Sequence, residues 1–169
     1  MKYLITTLMI MTVTATMAQD GKATTIKNTF NRQTSVSIRI ESDPAIIWKL
    51  LTNASDFPRW NSTVISIEGE IRKGEKIRLK STLDETRTFK LKIKEAEPEK
   101  MMIWGDGKGN RVYILTVNKD NSVQFSMSEK IGGLMFPMYA KYLPSFDESF
   151  EQYAADLKRE AELIANTKN

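Results

Sequence analysis

RVYILTVNKDNSVQFSMSEKI, residues 111–131, is two β-rich runs around a polar turn, and its reading decides the rest of the chain. A hairpin closing on Asn118–Ser122 sets Arg111 opposite Glu129, Tyr113 opposite Met127, Leu115 opposite Phe125 and Val117 opposite Val123. The other face pairs Val112 with Ser128, Ile114 with Ser126 and Thr116 with Gln124. The odd-numbered face is far more apolar, which makes it the inner one. One ion pair, Arg111 with Glu129, ends an otherwise apolar stripe.

Moving upstream, Met102 and Trp104 precede Gly-Asp-Gly-Lys-Gly-Asn, a tight turn rich in residues that accept positive φ. A short turn there puts Trp104 on the same inner face, opposite Arg111 or Tyr113. The glycines lack the full Walker spacing and have no helix after them, so the segment is a hairpin turn and not a phosphate loop. Phe89, Leu91 and Ile93 alternate with Lys90, Lys92 and Lys94, and Ile77 and Leu79 alternate with Lys76, Arg78 and Lys80. Setting Ile77 opposite Ile93 gathers all six cations on one outward face. Like charges directly opposite destabilise a sheet, so this face is either simply solvated or suited to an anionic surface such as a membrane. Nucleic acid is a poor match, because the cations lack interleaved exposed aromatics.

Further upstream, Ser35–Glu41 alternates with Val36, Ile38 and Ile40 on one face, a half-buried strand. Ser42-Asp43-Pro44 starts a short helix with a capping side chain and Pro in the first turn. Asp56–Trp60 is a second short turn or helix. Downstream, Gly132-Gly133 breaks the last strand, and Met135, Phe136, Met138 and Tyr139 follow as residues that line or gate a pocket. Phe146, Phe150, Tyr153, Leu157, Ala161 and Ile164 then mark one face of a long amphipathic helix. Ser145 and Glu148 fit a capping box at its start. The order is strand, two short helices, about six antiparallel strands and a long helix, an α+β domain over residues 34–166. The last helix is the element large enough to cover the inner face of the sheet.

The 169 residues carry 25 Lys plus Arg against 21 Asp plus Glu, a net charge of +4, with no His and no Cys. This excludes disulfides, thiol nucleophiles, zinc sites of the usual kind and a Ser-His-Asp triad. The carboxylates show no calcium-loop spacing, so no metal and no cofactor is expected. Residues 1–18 have a Lys2 start, an apolar run from Leu4 to Val13 and small residues up to Ala18. That is the layout of a secretory signal cleaved near Ala18, and the expected location is periplasmic or secreted. The run is shorter than a membrane span and diluted by threonines. Residues 19–33 are polar and aperiodic, a linker.

Asp43-Pro44-Ala45-Ile46-Ile47-Trp48, followed by Phe57-Pro58-Arg59-Trp60-Asn61, resembles the opening of the START-like, polyketide cyclase and lipid-transport superfamily (SRPBCC). Trp104 before its Gly-rich turn, Ser128 to Leu134, and Phe146 to Glu162 resemble its later strands and closing helix. The resemblance spans about Ser35 to Ala165. It implies the helix-grip fold, a curved seven-stranded antiparallel sheet around the long C-terminal helix with an apolar cavity between them. The implied cavity wall takes in Trp60, Trp104, Tyr113, Met127, Glu129, Phe146 and Phe150. Phe89, Leu91, Arg111, Phe125, Met135 and Tyr139 join them from the face assignments above.

Three functions fit these residues. The first is an exported carrier of a small apolar or amphipathic molecule, lipid-like or polyketide-like, with Arg111 and Glu129 orienting its polar end. The second is a cyclase- or dehydratase-type enzyme, with Glu129 as its one catalytic candidate beside a Tyr; the sparse polar set weighs against it. The third is an interaction module whose interior is filled. A hollow between sheet and helix separates the first from the third.

Overall fold

The computed structural model describes residues 20–167. Eight strands form one antiparallel sheet: β1 Thr24–Asn28, β2 Asn31–Ile40, β3 Val64–Glu68, β4 Lys76–Ser81, β5 Asp84–Glu97, β6 Met101–Gly105, β7 Gly109–Val117 and β8 Val123–Gly132. Their spatial order is β1-β2-β8-β7-β6-β5-β4-β3. Helices α1 Pro44–Thr52 and α2 Phe57–Trp60 follow β2, α3 Phe136–Tyr139 follows β8, and α4 Asp147–Thr167 ends the described chain. This is the helix-grip arrangement expected from the sequence, with one strand more than seven. The expected signal segment, residues 1–18, lies outside the described residues.

The extra strand comes from the stretch expected to be linker. Thr24–Asn28 pairs with Asn31–Ser35 through a turn at Thr29-Phe30. Nothing in β1 is fully buried, so it shows no apolar alternation, and its pairing is invisible to a periodicity argument. The true start of β2 is hidden for a second reason. Its inward positions Arg32 and Thr34 are polar although both are buried, so the apolar pattern begins only at Val36.

The β7–β8 register is the one deduced above, from Arg111 opposite Glu129 to Val117 opposite Val123, and Trp104 sits opposite Arg111. The β4–β5 register differs by two residues: Ile77 faces Leu91, Lys76 faces Lys92 and Arg78 faces Lys90. The Ile93 amide instead donates to Glu75 O. A slip of two keeps every side chain on its face, so the inward assignments survive and all six cations stay outward and exposed, but the directly opposed pairs are Lys76 with Lys92 and Arg78 with Lys90. Lys80 lies opposite Ser66. Lys94 donates to Asp106 O at 3.1 Å and contacts Asn110 Oδ1. Arg78 binds the Glu68 carboxylate at 2.6 Å.

Helix α1 starts as the sequence implies, with Asp43 Oδ1 accepting from the Ala45 amide at 2.7 Å and Pro44 in the first turn. Helix α4 buries Phe150, Tyr153, Leu157 and Ala161 against the sheet. At its start the Ser145 hydroxyl accepts from the Asp147 amide and donates to the Asp147 carboxylate, a cap one residue short of the box expected with Glu148. Tyr153 is the hub of the core. Its ring lies 5.9 Å from both Trp60 and Tyr113 and 6.5 Å, stacked, from Phe125.

A carboxylate fastens the helix laterally. Asp156 is buried on α4, and its Oδ2 accepts from the Ser62 amide and hydroxyl at 2.8 and 2.7 Å. Its Oδ1 takes Gln152 and Arg159. Burial alone would raise its pKa, but the Ser62, Gln152 and Arg159 hydrogen bonds outweigh that and hold it below its ordinary 3.8. Its contribution to stability is therefore complete above the unfolded value and fades as pH falls below it. Asp156→Ala should cost about 1–3 kcal/mol at neutral pH by removing the charged acceptor that holds Ser62, Gln152 and Arg159. In urea titrations the gap from the parent should close on acidification below that value; a gap independent of pH would contradict the assignment. Phe125→Ala, in the aromatic core, should cost about 3–5 kcal/mol by the same measurement.

Candidate ligand-binding site

Sheet and helix do not fill the interior evenly. Tyr153 of the helix packs on Tyr113 of β7 and Phe125 of β8, and both are fully buried, as is Met127. Toward the N-terminal end of α4 sheet and helix diverge around a cavity of about 320 Å³. Its wall is built from six strands, β3 to β8, and includes Leu79, Phe89, Leu91, Trp104 and Ile131. The opposite side is the segment Tyr139–Phe146 together with Ser149 of α4. The hollow exists because the helix begins only at Asp147, after Pro144, while the sheet continues beneath the loop.

The polar floor is the pair from adjacent strands. Arg111 Nε and one terminal nitrogen both reach Glu129 Oε2, at 2.6 and 2.5 Å, with the two side chains about five-sixths buried. Burial would lower the guanidinium pKa, but the Glu129 carboxylate outweighs it and keeps Arg111 above its ordinary value. Arg111 also lies 5.0 Å over the Phe150 ring. Glu129 is thus a paired carboxylate and not an isolated one. Arg32 sits close by, over the Phe146 ring at 4.6 Å and donating to Leu143 O. Burial lowers its pKa, partly offset by Asp147 and Glu129.

Behind Arg111, Tyr113 is pushed up to about 12 by burial, against the opposing charge of Arg111, and burial also raises Tyr153. Their hydroxyls approach each other and Arg111, yet neither closes a hydrogen bond. At neutral pH both are neutral phenols.

The expected site residues therefore divide. Phe89, Leu91, Trp104, Arg111, Glu129, Tyr139 and Phe146 meet at the cavity. Trp60, Tyr113, Phe125, Met127 and Phe150 belong instead to the packed core, because inward-facing is a property of the whole sheet and the helix closes over half of it. Met135 points outward at 57% exposure. Leu79, Leu83, Arg87, Tyr142 and Leu143 also line the hollow and were not singled out by the sequence. Leu79 was marked only as inward; Tyr142 and Leu143 carry no periodic signal, since they lie in a loop. Among the described residues no cluster of three or more carboxylates is placed to hold a metal ion.

No family model and no curated protein matches this chain. Solved structures do. A START superfamily protein from Mycobacterium smegmatis aligns with a TM-score of 0.59 at 13% identity, over 78% of this chain and 98% of that one. A conserved protein of unknown function from Enterococcus faecalis aligns at 0.62 and 16% identity, over 85% and 78%. A Rhodobacter sphaeroides protein aligns at 0.58 and 16%, over 88% and 100%. At these identities the likeness is one of fold, and the chain has a START-like, helix-grip fold.

The floor pair gives a direct test. Arg111→Met alone strands a carboxylate in a mostly dry site and should cost about 3 kcal/mol, whereas Arg111→Met with Glu129→Leu should recover most of the loss. A double-mutant cycle by chemical denaturation reads this. Additive losses would mean that the two side chains act independently.

Proposed function

We propose that this chain is a binding protein for a small apolar or amphipathic molecule, held between the sheet and the start of α4. The observation that carries this reading is the cavity of about 320 Å³, with an apolar wall of Leu79, Phe89, Leu91, Trp104 and Ile131 above the Arg111–Glu129 pair, and with Asp84, Arg87, Asp106 and Lys108 also on its lining. That volume lies at the small end of ligand pockets and sets the size of the guest. Leu79, Phe89, Leu91, Trp104 and Ile131 remove its apolar part from water, and Arg111 and Glu129 offer a donor and an acceptor to its polar end. At about 25 cal/mol per Å², roughly 200–300 Å² of buried ligand surface gains about 5–7 kcal/mol. After the cost of immobilisation this supports binding in the micromolar to millimolar range. A carrier or sequestering role outside the cytoplasm follows if residues 1–18 act as the secretory signal their layout suggests.

Native mass spectrometry against a panel of small amphipathic compounds, with an uncharged naphthylamine as fluorescent reporter, tests this. One-to-one adducts are expected. Leu91→Trp should abolish them by filling the hollow, with the thermal midpoint little changed because Leu91 is only partly buried. Adducts that persist unchanged in Leu91→Trp, or none from any compound, would overturn the reading.

A further inference from the structure

The cavity mouth carries a surface that packing does not account for. Leu134 is 85% exposed, Tyr142 74% and Met138 67%, all on the segment that leaves β8 at Gly133, whose φ of +123° turns the chain. Within this segment Phe136 is the anchor, buried and edge-on to Tyr139 at 5.5 Å. Tyr139 in turn donates to Gly132 O at 3.3 Å. With Phe136 inward, Met135, Met138 and Tyr142 are spaced by three and four and turn outward. Phe30, 51% exposed in the β1–β2 turn, shares a shallow groove with Leu134.

Cations ring this apolar ground. Lys94, Lys108 and Lys130 line the groove, Lys108 lies 5.6 Å over Tyr139, and Lys141 lies 4.9 Å over Tyr142. The groove's one carboxylate, Asp106, accepts the backbone amides of Lys108 and Gly109 through Oδ1. The patch is thus apolar at its centre and positive at its edge. Two of its members, Tyr142 and Lys108, also line the cavity.

We propose that this end of the molecule docks on an anionic lipid bilayer. Leu134, Met135, Met138 and Tyr142 enter the boundary between headgroups and acyl chains, and Lys108, Lys130 and Lys141 meet the lipid phosphates. A second copy of the chain fits less well, because a two-fold contact would press one lysine rim against the other. The β4–β5 face that the sequence suggested for this role also fits less well. Arg78 is occupied by Glu68 there, and the inward partners Ile77 and Leu79 are buried. The surface stands independently of the cavity; only its purpose, bringing the mouth against the lipid phase, rests on the function proposed above.

Co-sedimentation of the described domain within the full chain, with vesicles of phosphatidylcholine alone or mixed equally with phosphatidylglycerol, is the test. Binding to the mixed vesicles is expected, with little to the neutral ones. It should weaken as salt rises from about 10 to about 150 mM and the Debye length falls from about 30 to about 8 Å. Lys130→Ala and Lys141→Ala should each lower the partition coefficient about fivefold. Leu134→Glu with Met138→Glu should lower it more than tenfold. Lys76→Ala with Lys92→Ala should leave it unchanged. All these side chains are exposed or half-buried, so thermal melts should show an intact fold throughout. The proposal is overturned by no binding at low salt, by equal binding of the glutamate variant, by loss in the β4–β5 variant, or by a dimer that Leu134→Glu dissolves. Running the assay on ligand-free protein and on Leu91→Trp separates it from the cavity: a hollow that binds nothing leaves the vesicle result untouched.

Discussion

Tyr113 and Leu115 of β7 and Phe125 and Met127 of β8 all leave the sheet on one side, so a single apolar face must be covered along its length. Helix α4 can cover it because Phe150, Tyr153, Leu157 and Ala161 recur on one side of the rod. The fit is tightest around Tyr153, where four aromatic rings meet. Past Phe146 the rod has ended and the sheet has not. The interior space is the geometric remainder of laying a short straight element across a longer curved one.

This explains which parts of the protein could be deduced from the chain alone. Strand parity is a local property, so the β7–β8 pairing, the inward Trp104 and the long helix were legible in the spacing of apolar residues. Parity also tolerates a slip of two, which is why the inward set around Ile77 and Leu91 was right while its pairing was not. The first hairpin was not legible. β1 buries nothing, and Arg32 and Thr34 occupy inward positions with polar side chains. Nor could the boundary between packed core and hollow be seen, since Tyr113 and Arg111 sit on the same face of the same strand. What separates them is where α4 stops, a fact of three dimensions.

The polar groups inside follow a consistent economy. Arg111 is matched to Glu129, Asp156 to Ser62, Gln152 and Arg159, and Glu160 to Arg59. Each pairing joins separate segments or neighbouring turns, so the charges fix relative position as well as cancel. Four buried atoms among the described residues are the exceptions, without partners: one terminal nitrogen of Arg32, Trp60 Nε1 and the hydroxyls of Tyr113 and Tyr153. The two hydroxyls lie behind the floor pair, on the side facing the core.

The strand that periodicity does not reveal, with the two residues before it, has an outsized mechanical role. Lys22 and the Ala23 amide both engage the Glu151 carboxylate, at 3.0 and 3.1 Å, and the Thr25 hydroxyl engages Asp147. These three straps hold the first turn of α4, the same turn that bounds the hollow. A chain trimmed back to Lys27 would keep every cavity-lining residue and still lose them all, freeing the helix end to fray. The width of the chamber is therefore governed from a part of the polypeptide that never touches it.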